Sequence, residues 1–221
     1  MNFPSASRRH CSGSIGCWIA AVLMICCAPA FSQVDASTPK AAMKSLYAAV
    51  QRGDAATIRQ LLSVQNDPDQ QIASSYADLI LAGKRLGDIT LQKFPGSSNP
   101  FAQGTLLPED AAKIDSADVN VNGDSAKLKF ADQQSPIVLK HGGDGWRIVI
   151  EQDQDTPKRR ADQLFLLKGM ADAMNKSADE INADKYATVE DAESAVKNRL
   201  GAIVSKALQS DLPTSKPATQ P

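Results

Sequence analysis

Between residues 117 and 150 the chain alternates apolar and polar residues with a period of two, and it breaks that alternation at three turn-forming clusters. Val119 and Val121 alternate with polar neighbours as far as Asn122-Gly123-Asp124. Ala126, Leu128 and Phe130 continue to a polar turn at residues 132–136, and Ile137-Val138-Leu139 leads into His141-Gly142-Gly143-Asp144-Gly145. Trp146-Arg147-Ile148-Val149-Ile150 closes the run. Successive strand side chains point to opposite faces, and Asn-Gly or Gly-Gly turns join antiparallel neighbours. The pattern therefore predicts a four-stranded antiparallel meander with one apolar face. Such a face has to be covered, and the rest of the chain is helical in period. The expected class is α+β: N-terminal helices, the meander, then a C-terminal helical pair.

The N-terminal helices are legible from their ends. Thr38 reads as a cap with Pro39 at the first helical position, and Met43, Leu46, Tyr47 and Val50 share one face. Gly53 ends this helix, and Asp54 caps the next, which carries Ile58, Leu61 and Leu62. Asn66-Asp67-Pro68 starts a longer one, where Ile72, Tyr76, Leu79, Ile80, Gly83, Leu86 and Ile89 keep a helical period up to Pro95-Gly96. Gly83 and Gly87 each weaken that helix by up to about 1 kcal/mol relative to alanine, which makes them candidates for close helix contacts. Residues 108–112 read as a single helical turn before the sheet.

After the polar connection 151–156, Pro157 opens a helix with the stripe Ala161, Leu164, Phe165, Lys168, Ala171 and Met174, with a candidate break near Ser177. Lys185-Tyr186 marks a joint. Thr188, with Asp191 three residues on, resembles a capping box, and its helix carries Ala192, Val196, Leu200, Ile203 and Ala207. Both stripes must be buried, either within this molecule or as an extended arm against a partner. The short connection after Ile150 favours packing back onto the same chain.

The first residues carry an export pattern: a basic start at Arg8 and Arg9, an apolar run from Ile15 to Cys27, and small residues at Ala28-Pro29-Ala30. Residues 1–32 are thus expected to be a signal peptide, cut after Ala30 or after Ser32. The apolar run is shorter than the roughly 20 residues a stable membrane span needs. Ser7-Arg8-Arg9 is followed by His10 and Cys11 rather than by the apolar pair of a twin-arginine signal, and Ile25 before Cys26 does not suit lipidation. Cys11, Cys17, Cys26 and Cys27 all fall inside this segment, so the mature chain has no disulfide, thiolate nucleophile or cysteine ligand. The domain plan is then 1–32 signal peptide, 38–150 α+β domain, 157–209 helical pair and 210–221 disordered tail. The chain has 24 basic and 25 acidic residues; without Arg8 and Arg9, 22 face 25, a net charge of −3. That argues against nucleic acid, which selects a basic face.

Leu46-Tyr47-Ala48-Ala49-Val50-Gln51-Arg52-Gly53-Asp54 with Ile58 and Leu61-Leu62, then Val121-Asn122-Gly123-Asp124-Ser125-Ala126, then Gly145-Trp146-Arg147-Ile148 resemble the nuclear-transport-factor-2-like superfamily. This is the cone-shaped fold shared with ketosteroid isomerases, and the resemblance covers roughly residues 38–150. It implies a curved sheet over helices, with a strand between the second and third helices. Residues 63–71 read as too short and polar for that strand, and the C-terminal helices lie outside the pattern. The rival architecture is a helical bundle with a four-stranded sheet on one side and no cone.

Few side chains carry chemistry. His141, the one histidine beyond residue 32, lies among glycines and reads as a solvated turn residue rather than a general base. Glu151, Asp153 and Asp155 resemble the start of a calcium loop, with Asp162 at the twelfth position, but Thr156 and Pro157 stand where the loop needs its glycine turn. Tyr47, Tyr76 and Trp146 read as core aromatics, with Asp54, Asp78 and Arg147 as the polar groups a cone pocket would use. Lys158-Arg159-Arg160 sits against a helix dipole that disfavours cations, next to acids that neutralise it. No catalytic, cofactor-binding or metal-ligating residue is assigned, and no cofactor is expected. The leading expectation is an exported, non-enzymatic protein of the cell envelope that binds an apolar small molecule or a protein, without nucleic acid and without a stable membrane span. The alternatives are an isomerase or dehydratase with Tyr76 as donor and Asp78 or Asp54 as base, and an interaction protein working through its C-terminal helices.

Overall fold

Thr38 stands in extended backbone and its hydroxyl accepts from the Ala41 amide at 3.1 Å, so that Pro39 begins helix α1, Pro39–Arg52. Gly53, at φ 70°, ends α1 in the left-handed region that glycine enters without steric cost. Asp54 then accepts from the Thr57 amide at 3.0 Å and starts α2, Ala55–Leu61. The computed structural model describes residues 34–63, 67–97, 111–131, 133, 135–150 and 157–209. Along these the order continues as β1 (Leu62–Ser63), α3 (Asp67–Lys93), α4 (Ala112–Ser116), β2 (Asp118–Asn122), β3 (Ser125–Lys129), β4 (Ile137–Gly142), β5 (Gly145–Val149), α5 (Pro157–Asn182) and α6 (Val189–Gln209). The expectations for residues 1–32, 108–110, 151–156 and 210–221 lie outside the described residues.

The four-stranded antiparallel meander is present, with Val119 opposite Leu128, Ala126 opposite Leu139 and Leu139 opposite Ile148. The sheet order is β1-β5-β4-β3-β2. Its fifth member corrects the reading of residues 63–71. Leu62 and Ser63 form a short strand, parallel to β5 and opposite Ile148 and Val149. Leu62 leaves α2 in extended backbone (φ −85°, ψ 125°) and is buried in the core, so one anchored leucine lays the chain along β5 without a longer apolar run.

Two apolar clusters follow from this layout. In the larger, Met43, Leu46 and Val50 of α1, Ile58 and Leu61 of α2 and Ile72 of α3 meet Ala126, Leu128, Leu139, Trp146 and Ile148 of the sheet. Phe130 and Ile150, just beyond their strands, complete it. In the smaller, Leu86 of α3 meets Ala178 and Ile181 of α5 and Ala192 and Val196 of α6. The C-terminal pair therefore packs within the molecule, α5 along α3 and α6 chiefly along α5. Gly83 faces Met174 without a close approach: a Cβ there would lie 3.8 Å from Met174 Sδ, an ordinary van der Waals contact.

Before the sheet, α4 at Ala112–Ser116 is anchored by the buried Ile114, and two expectations for α5 change. α5 runs through Ser177 unbroken, because that buried hydroxyl donates to the Ala173 carbonyl one turn back at 2.8 Å and is satisfied inside the helix. The buried residues of α5 are Leu167, Ala171, Ala173, Ser177, Ala178 and Ile181; of the predicted stripe, Ala171 is among them and Leu164 and Met174 pack half-buried against the clusters, whereas Ala161, Phe165 and Lys168 are exposed. Phe165 is 43% exposed under the Lys206 ammonium, 5.3 Å from its ring centroid. The reason is that α5 contacts α3 and α6 together, so its small residues face inward and Phe165 falls at the margin of the α6 contact, where Lys206 reaches over it.

Candidate functional site

The side chains suited to a cone pocket do not converge. Asp54 is a helix cap: its carboxylate takes the Thr57 amide at 3.0 Å and the Thr57 hydroxyl at 2.6 Å, with Arg52 at 3.9 Å. The Thr57 hydroxyl, then the Thr57 amide, hold the carboxyl below its usual range. Asp78 is exposed on α3, whereas Tyr76 is half-buried against the larger cluster. Residues two apart on a helix do not face each other, so this pair cannot act on one group. Tyr47 is likewise half-buried against the cluster.

Trp146 is 7% exposed and anchors β5. His141 is exposed on β4 directly opposite it, one pair in from the hairpin end rather than in the turn, with its ring edge-on to the indole at 5.2 Å and 68°. Arg147 pairs with Asp144 at 2.9 Å. Lys158 and Arg159 are exposed at the start of α5, and Arg160 is half-buried. A shallow depression of about 370 Å³ lies along α1 between Asp35, Thr38, Lys40, Lys44 and Ser45, with no sheet residue in its wall. Lys40 donates to the Asp115 carbonyl at 2.6 Å and Lys44 pairs with the Asp115 carboxylate at 2.5 Å, which ties α1 to the end of α4.

The strongest electrostatic centre is one the sequence reading missed. Where α5 ends, Ala183 and Asp184 turn the chain, Asp184 at φ 55°, and Lys185 and Tyr186 fold back on Glu180. Glu180 accepts from the Tyr186 hydroxyl at 2.5 Å, from Arg199 of α6 at 2.8 Å and from Lys185 at 2.9 Å. Arg199 also donates to the buried Ser177 hydroxyl at 2.5 Å. The Tyr186 hydrogen bond, then those of Arg199 and Lys185, hold the Glu180 carboxyl down at about 2. Burial, then the Glu180 carboxylate, push the Tyr186 phenol up. Thr188 caps α6 as expected, accepting from the Asp191 amide at 3.1 Å.

Chemically this centre holds rather than reacts. Glu180 stays a carboxylate with three donors on it, Tyr186 stays a phenol, and Arg199 spans both helices. Charge-assisted bonds of this kind fix geometry. The available signal was modest: Glu180 and Arg199 adjoin the apolar positions Ile181 and Leu200, which puts charges beside an interface. Among the described residues no three His, Cys, Asp or Glu side chains gather as a metal site, and no helix is long and apolar enough to cross a membrane. Comparison with protein-family models, curated proteins and solved structures finds no match.

Proposed function

We propose that this chain is an exported interaction domain of the cell envelope, non-enzymatic and built on the nuclear-transport-factor-2-like plan, which meets a protein partner on its outer surface. One observation carries the reading. The inward side of the sheet, where a cone would keep its ligand, is occupied by the chain's own helices: Leu128, Leu139 and Ile148 are 2% exposed or less and form one cluster with Met43, Leu46 and Ile58. An apolar small molecule would have to displace that cluster, whereas a protein need not. The short strand β1 between the second and third helices supports the resemblance, as does the Gly145-Trp146-Arg147-Ile148 arm. The basic start, apolar run and small residues within 1–32 support export.

Two measurements test it. N-terminal sequencing of the accumulated protein is expected to begin at Phe31 or Gln33; a start at Met1, or lipid on Cys26 or Cys27, overturns export. Titration with an apolar fluorescent probe is expected to show no saturable site in the folded protein. One-to-one uptake that changes Trp146 emission would move the reading to a small-molecule carrier.

A further inference from the structure

The two edges of the sheet are treated differently, and edges are where a sheet recruits another strand unless something blocks it. The β5 edge is closed twice. β1 pairs with Ile148 and Val149, and nearer the hairpin the Trp146 amide donates to the Ala36 carbonyl at 2.8 Å. That second closure is tight, since Gly145 sits at φ 112° and a Cβ there would lie 2.6 Å from the Ala36 oxygen.

At the opposite edge, β2 pairs with β3 alone among the described residues. Its five residues, Asp118-Val119-Asn120-Val121-Asn122, contain no proline and no lysine, two of the usual deterrents. All but Val119 are exposed, Val121 at 53% although it lies on the same face as the buried Ala126 and Leu128. Asn122 and Ser125 close the two-residue turn, so hydrogen-bonded pairing alternates from there and leaves the amides and carbonyls of Val119 and Val121 pointing off the sheet.

We propose that this edge pairs antiparallel with β2 of a second copy, about a two-fold axis at Asn120, to make one continuous sheet across two molecules. The strand is self-complementary in that register. Val119 meets Val121 of the second copy in a hydrogen-bonded pair, both on the apolar face, and Asn120 meets Asn120 in the close pair between them. Charge selects the same arrangement. Within the strands themselves the only acid is Asp118, Asp124 and Asp144 lying in turns, whereas the outward face carries Lys127, Lys129 and Lys140 beside an Arg147 already paired with Asp144. Antiparallel pairing sets each Asp118 beside Asn122 of the other copy and brings a second acid to that basic face. Parallel pairing would stack Asp118 on Asp118, which is unfavourable. Five residues give a small contact, so the association is weak and concentration-dependent. It goes beyond the proposed function and depends neither on export nor on the other partner.

Sedimentation equilibrium of the full chain over a concentration series is expected to show a monomer–dimer equilibrium, and a monomer throughout overturns the proposal. Val121→Pro removes an outward amide and leaves the β3 ladder intact. It should weaken association about tenfold or more, and undiminished dimerisation would place the contact elsewhere. Asn120→Cys, with Cys11, Cys17, Cys26 and Cys27 changed to serine, puts two thiols about 4.5 Å apart at the Cα atoms, within disulfide reach. Asn122→Cys puts them about 14 Å apart. A covalent dimer from the first and not the second supports the register. Equal cross-linking, or none from either, overturns it, as does a monomer that takes up an extended peptide along β2 instead of its own copy.

Discussion

Beneath the sheet, Met43, Leu46, Ile58, Leu128 and Leu139 are wholly buried, and the contacts among them are apolar. At the far end of α3 the smaller cluster of Leu86, Ala178, Ile181, Ala192 and Val196 is ringed by ion pairs instead: Arg85 with Asp179 at 2.6 Å, Lys93 with Asp184 at 2.7 Å and Glu180 with Arg199 at 2.8 Å. Two of its five buried side chains are alanines, so the helices there approach closely and gain less from apolar burial. Their relative placement is set more by geometry, through the Glu180–Arg199–Tyr186 lock and through contacts such as Gly169, where a Cβ would lie 3.0 Å from Ile203. One region is held by transfer of apolar surface from water, at about 25 cal/mol per Å². The other is held by a smaller such term plus directional bonds between half-exposed groups. The lesson is that α3 serves both, its first half under the sheet and its second half as the wall of the helical pair.

The severest way to break this comparison is to remove one side of it. Deleting residues 157–221 strips α5 from α3, its most extensive helical neighbour, and exposes Leu86 and Ala82. Leu167, which joins the larger cluster, is lost as well. The expected outcome is an insoluble or molten remainder, detectable as loss of near-ultraviolet circular dichroism and of a cooperative melt. A remainder that stays monomeric and melts cooperatively would mean that the larger core is self-sufficient and the helical pair an appendage.

A single side chain sharpens the apolar side of the comparison. Trp146→Ala is expected to cost about 3–5 kcal/mol in denaturant melts, from the lost transfer term and the cavity left between β5 and its covering residues. His141 loses its ring neighbour at the same time, whereas the backbone amide at position 146 keeps its bond to the Ala36 carbonyl. A cost below about 1 kcal/mol would show that the indole is not an anchor.

What was legible from sequence divides along the same line. Helix caps at Thr38, Asp54 and Thr188 and the turns at Gly53 and Gly123 are local events, decided by residues within three or four positions, and each forms where its residues stand. The meander was equally plain, because its alternation and its turns agree. β1 was not, since two residues become a strand only when Ile148 and Val149 arrive beside them from 86 positions on. Phe165 was placed inward because periodicity alone assumes one buried face, and α5 has two. The Glu180 centre joins residues 19 positions apart across two helices, and no spacing within either helix announces it.

The gentlest probe is acid. Glu180 has its folded pKa lowered to about 2 from an ordinary 4.5, so its contribution is fully present above the unfolded value and is lost as pH falls from there through about 2. The carboxylate is 15% exposed and Arg199 24%, so solvent screening leaves a stabilisation of about 1 kcal/mol. Glu180→Gln should therefore melt earlier than the parent chain at pH 6, with the difference narrowing below pH 4.5 and closing near pH 2. High salt at pH 6 should narrow it too, as it would for a partly exposed pair. The apolar side predicts the opposite pattern, because the loss in Trp146→Ala does not follow any carboxylate. A gap between parent and Glu180→Gln that stays constant from pH 6 to pH 2 would mean that Glu180 acts by packing, and that the helical pair is held by the same means as the sheet.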